Sequence, residues 1–168
     1  MAFVTDTTGV SHALPLMSCG RPLGDTALRI VDPETGIAAD PGETGEIWLA
    51  GAGRAAGYWN KPGPTRANFE ARLVGEPGAR APFLRTGDIG FLHDGELFVC
   101  GRYKDMIIIR GQNIYPEDIE ALARQVCPAL RRNGVVAFSS GDGHETSITL
   151  VAEVARGQDM PDEAGSSG

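Results

Sequence analysis

The residues best equipped for chemistry lie between Pro82 and Glu120, in PFLRTGDIGFLHDGELFVCGRYKDMIIIRGQNIYPEDIE. Asp88 ends an Arg-Thr-Gly-Asp run. A carboxylate on a tight glycine turn can accept hydrogen bonds from two adjacent hydroxyls, as on a ribose. The same carboxylate can equally cap the turn through its own backbone. Arg102 carries five donors that suit ribose or phosphate oxygens, and it also reads as a solvated charge or a partner for Asp105. The two residues flank Asp94-Gly95, a dipeptide that tolerates the positive φ of a two-residue hairpin turn. Folding that hairpin would let Asp88 and Arg102 face one small polyol. Gly111 sits between an apolar run and a helix start, where the missing side chain permits close approach of a ligand or simply an ordinary turn.

Other chemistries find little support. The GxxxxGK[ST] spacing of a phosphate-binding loop is absent, and so is the GxSxG of a nucleophile elbow. Ser139-Ser140 reads as turn chemistry. His12, His93 and His144 are isolated from one another. Glu43 and Glu46 stand at the edge of a strand, where a surface role is expected of both. Cys19, Cys100 and Cys127 are far apart and lack ligand-pair spacing, so no metal or disulfide is assigned to them.

These residues need a frame. Ala27 to Val31 and Gly45 to Ala50 read as strands, and Thr65 to Leu73 as a short helix. Ile89 to Leu92 and Glu96 to Cys100 form the arms of the hairpin, and Met106 to Ile109 is a further strand. Pro116 suits a first helical position, and Glu117 and Asp118 follow where they favour the helix dipole. Ile119, Leu122, Ala123 and Val126 then lie on one helical face, and Pro128 ends the helix. Gly134 to Phe138 and Ser147 to Val154 complete the list as two strands around a Gly-Asp-Gly turn. Met1 to Met17 lacks a clear period. The order predicts an α+β fold, β-rich first, with a break in the charged patch Arg102 to Asp105 or one continuous domain through it.

The chain has 168 residues and a formal net charge of -7. That charge argues against nucleic acid as a partner, since phosphate affinity needs a basic face. No stretch approaches the ~20 apolar residues that span a bilayer, and no signal peptide is evident. A cytoplasmic setting is the expectation.

Three segments in order resemble signatures of the adenylate-forming superfamily of acyl-CoA synthetases, luciferases and peptide-synthetase adenylation domains. They are GEIWLAGAGRAAGYWNKP, FLRTGD and GRYKDMIIIRGQNIYPEDIE. The resemblance runs from about Cys19 to Val154. SCGRPL, PFLRTGDIGFLHDGELFVCGRYKD and NIYPEDIE look most like the fatty-acyl-AMP ligases.

The resemblance implies a β-rich end subdomain of the superfamily's large domain over 1–103. Part of a small α/β C-terminal domain would follow over 104–156, with a flexible tail over 157–168. It implies that Asp88 holds the ribose hydroxyls of AMP and that Arg102 also contacts the ribose. It makes Lys104 the hinge about which the small domain rotates, and places Gly111 in the turn approaching the acceptor thiol arm. In the complete enzyme it implies ATP, Mg²⁺ and a fatty acid. It also implies an acyl carrier protein, or coenzyme A, as acceptor. The superfamily's upstream phosphate loop, its magnesium-associated Glu and its adenylation lysine have no match here. The expectation is therefore a fragment, inactive alone, with a missing N-terminal half as possible partner. The alternative expectation is a non-catalytic nucleotide-binding or interaction module.

Overall fold

A computed structural model describes residues 16–75, 82–109, 112–140 and 147–157. The fold is α+β, and the chain divides into two compact units, Met1–Lys104 and Asp105–Gly168.

The first unit is an antiparallel meander. Strands β1 (Ala27–Val31), β2 (Gly45–Ala50), β3 (Leu84–His93) and β4 (Glu96–Arg102) pair in sequence order. Alternation along β1 and β2 sorts their side chains to two faces. Leu28, Ile30 and Ile47 are buried together on one face, with Leu92 and Leu97 packed against them. Val31, Trp48 and Ala50 are buried on the other with Leu73 and Phe83. Burying a side chain of this size contributes about 1.5–3 kcal/mol. Asp94 and Gly95 both take positive φ, 50° and 79°, so the β3–β4 turn has the primed geometry that matches strand twist.

Helix α1 (Pro62–Phe69) begins earlier than the apolar spacing of Phe69 and Leu73 predicts, and it ends before Leu73. Pro62 occupies the first turn, where a missing N–H costs nothing. At the other end the backbone leaves the helix to pair elsewhere. The Ala71 and Phe83 amides each donate to the other's carbonyl, and the Val74 N–H donates to the Gly36 carbonyl at 2.9 Å. Leu73 is still buried, but from an extended segment.

In the second unit, β5 (Ile107–Ile109) pairs with β6 (Gln112–Ile114), a strand whose polar sequence gives no periodic signal. Helix α2 (Pro116–Val126) follows with Pro116 in its first turn and Glu117 and Asp118 beside it. Strands β7 (Leu130–Ser140) and β8 (Ser147–Val154) form a two-stranded ribbon. β7 exceeds the apolar run Gly134 to Phe138 because backbone pairing carries it on to Ser140, opposite Ser147. Val135 and Ala137 are buried, and the Ala137 N–H donates to Glu120 Oε1 of α2 at 3.0 Å. Val136, Phe138 and Val151, on the ribbon's other face, are exposed. Among the described residues no helix is long and apolar enough to cross a membrane.

Candidate functional site

Asp88 and Arg102 stand directly opposite each other across β3 and β4. Arg102 Nε donates to Asp88 Oδ1 at 2.9 Å. The guanidinium side chain is 64% exposed and the carboxylate side chain 35%. Asp88 Oδ2 carries no hydrogen bond among the described residues. The pair therefore offers one open carboxylate oxygen and spare guanidinium donors to solvent, side by side.

Asp88 lies within β3 and not on a turn before the hairpin. The strand is irregular there. Glu46 is opposite Ile89 and Trp48 is opposite Arg85, so two steps along β2 match four along β3. The surplus is taken up in Arg85-Thr86-Gly87-Asp88, as a bulge that re-aims a side chain. Gly87 has φ 76°, a left-handed value that glycine adopts without a Cβ penalty. The Thr86 hydroxyl donates to the Ile47 carbonyl at 2.8 Å and accepts from the Asp88 N–H at 3.0 Å. The Tyr103 N–H donates to the Gly87 carbonyl at 2.8 Å, which ties the end of the hairpin back to the bulge.

Beneath the bulge sits Glu46, only 2% exposed. The surface role expected from its strand-edge position is incorrect. Its Oε1 accepts from the Gly87 N–H at 3.0 Å. Its Oε2 accepts from Trp48 Nε1 and Arg85 Nε, both at 2.9 Å, and Arg85 Nη2 approaches the same oxygen at 2.8 Å. Arg85 also reaches the Pro33 carbonyl and lies 5.4 Å from the Trp48 ring centre. A buried carboxylate is tolerable only when paired and hydrogen-bonded, and here both oxygens are engaged. The overlooked signal was alternation: Glu46 is two residues from Trp48, and so shares its face of β2.

Lys104 is exposed, at the boundary between the two units. Gly111 lies outside the described residues, as do His12, His144 and the tail beyond Gly157. Among the described residues no group of three His, Cys, Asp or Glu is gathered to hold a metal, and none is assigned to magnesium.

The family model described as AMP-binding enzyme matches residues 1–59. JamA, a medium-chain-fatty-acid–[acyl-carrier-protein] ligase of Moorena producens, is 45% identical over 141 residues. That match covers 84% of this chain and 24% of JamA. A Mycobacterium tuberculosis protein named as a fatty-acid–CoA ligase, FadD21, is 44% identical over 153 residues, 89% of this chain and 25% of its own length. In sequence the chain resembles the adenylate-forming superfamily, and within it the fatty-acid ligases. A solved structure from work on fatty acyl-adenylate ligases of E. coli and L. pneumophila matches with a TM-score of 0.67 at 30% identity. It is covered over 83% of this chain and 23% of its own. The O-succinylbenzoate coenzyme A synthetase of Bacillus subtilis, in complex with ATP and magnesium ion, matches with a TM-score of 0.66 at 28% identity. There 82% of this chain and 26% of the other are covered. The chain spans about a quarter of the length of the curated relatives it matches.

Proposed function

We propose that this chain is part of an ATP-dependent ligase that activates a fatty acid as its acyl-adenylate and passes the acyl group to an acyl carrier protein. The observation that carries the reading is the Asp88–Arg102 pair, with one carboxylate oxygen open beside an exposed guanidinium. A ribose 2′,3′-diol presents two donors that a carboxylate accepts, and its oxygens accept from the arginine. The pair therefore fits a nucleoside, and the pairing of β3 with β4 fixes its two members opposite each other.

In this reading Asp88 and Arg102 orient the nucleotide through its sugar, and neither touches the reacting phosphorus. Positioning of this kind lowers the barrier by fixing a near-attack geometry. Bound ATP supplies the adenylyl group. Residues 1–103 act as the end of the large domain and residues 104–156 as part of the small one. Lys104 is the hinge between them, and Gly111 approaches the arm of the acceptor thiol. The name of FadD21 favours a second reading for the last step, with coenzyme A as acceptor.

The test is fatty-acid-dependent ATP–pyrophosphate exchange, with this chain alone and with the phosphate-loop portion of the large domain and the lysine-bearing remainder of the small domain supplied. Exchange is expected only in the second case, and Asp88→Ala should lower it. Radiolabelled acyl groups chased onto a carrier protein or onto coenzyme A then identify the acceptor. Absence of exchange in the complete assembly would sink the ligase reading in favour of a non-catalytic binding module.

A further inference from the structure

We infer that Glu46 is a positioning residue for the nucleotide site: it never touches the ligand, but holds the bulge that aims Asp88. The inference rests on the ribose-site reading above and extends it to a buried group. Three observations carry it. Glu46 is almost fully buried, so its charge has no role toward solvent. Its Oε1 binds the N–H of Gly87, the residue immediately before Asp88, at the position where β3 takes its surplus residues. Its Oε2 is clamped by Arg85 and Trp48, which leaves the carboxylate little freedom to follow the bulge if it moved.

A bulge that loses its anchor can shift its register, and such a shift would move Asp88 from its place opposite Arg102. A charged acceptor on Gly87 opposes it, because a hydrogen bond to an ionised group is about twice as strong as a neutral one. Burying a carboxylate here is costly, and a core of apolar residues would serve stability alone at least as well. The arrangement makes sense as a device for conformation. A purely supportive Glu46 would stabilise the whole sheet evenly. A positioning Glu46 acts on Gly87, Asp88 and Arg102 ahead of the rest.

The experiment uses nitrogen-15 spectra of the 168-residue chain with Glu46→Gln, Glu46→Ala, Asp88→Ala and the exposed control Glu43→Gln. Two quantities are read: amide exchange at Gly87 against the paired β1 and β2 amides, and the affinity for AMP. For Glu46→Gln, Gly87 exchange should rise by about tenfold over that of β1 and β2, as expected for losing a charged acceptor. The Arg102 Nε resonance should shift toward its unpaired position, and AMP affinity should fall by about tenfold. Glu43→Gln should change nothing. Uniform acceleration across all strands, or an unmoved Gly87 in Glu46→Gln, overturns the inference. If Glu46→Ala unfolds, Glu46→Gln decides alone, since its amide preserves the volume. The two readings fail separately. Unaltered AMP affinity in Asp88→Ala, or no AMP response in the native chain, removes the ribose reading. Weaker AMP binding in Asp88→Ala with native binding in both Glu46 variants removes only the positioning role.

Discussion

Replacing Asp88 with alanine should separate ligand binding from stability. In the free chain the carboxylate serves one partner, Arg102 Nε at 2.9 Å, and both side chains are substantially exposed. An ion pair of that kind is worth about 0–1 kcal/mol, because water solvates both partners when they part. Asp88→Ala should therefore move the urea midpoint only slightly. Toward a nucleotide the same carboxylate would make charge-assisted bonds to ribose hydroxyls, worth roughly 1.5–3 kcal/mol, which corresponds to about ten- to a hundredfold in affinity. Titration of native and Asp88→Ala chains with AMP and with 2′-deoxy-AMP gives the four corners of a cycle. Native protein should prefer AMP, and the variant should lose most of that preference, because both changes delete one contact. Arg102→Ala should give a similar or smaller loss for AMP. Full additivity of the two changes refutes the reasoning. So does a stability loss of several kcal/mol with unaltered AMP affinity, which would make Asp88 a structural residue.

Three further outcomes follow from the packing. Phe83→Ala removes a buried ring whose centre is 6.2 Å from that of Trp48, and should destabilise the first unit by about 3–5 kcal/mol in urea titrations followed by tryptophan fluorescence. The Asp32 carboxyl is held below its ordinary pKa chiefly by the Glu34 N–H, which outweighs the opposing effect of burial, with the Thr35 N–H helping. Its stabilisation is thus full above the pKa of the unfolded chain and fades as pH falls through the lower folded value. The stability gap between native protein and Asp32→Asn should accordingly close on acidification below the usual aspartate range, and a gap that widens there contradicts the assignment. Finally, Val136, Phe138 and Val151 expose an apolar face of the β7–β8 ribbon, so the chain should self-associate with rising concentration. Sedimentation velocity should show this, with Phe138→Ser reducing it; a clean monomer at all concentrations would argue otherwise.

The sequence alone made the local elements legible where one signal dominated. Strands β1 and β8 coincide with the segments read as strands beside their turns, α2 starts at Pro116 as expected, and Asp94-Gly95 announces its own turn. The order of elements pointed to an α+β fold, and the three ordered segments carried the resemblance to the adenylate-forming superfamily. Asp88 and Arg102 were visible as residue types, and the hairpin between them implied that they come close.

Tertiary structure decided what non-local pairing decides. Helix α1 stops before Leu73 because Ala71 and Val74 find backbone partners at Phe83 and Gly36, distant in sequence. Strand β6 exists because Ile107–Ile109 offers it an edge to pair with, not because of its own polar residues. Glu46 is the clearest case. Read locally, a glutamate at a strand edge belongs in water. Its burial becomes affordable only once Arg85, Trp48 and the Gly87 amide, two of them some 40 residues away, converge on it. Desolvating a charge is costly until its partners arrive together, and that convergence is a property of the folded sheet.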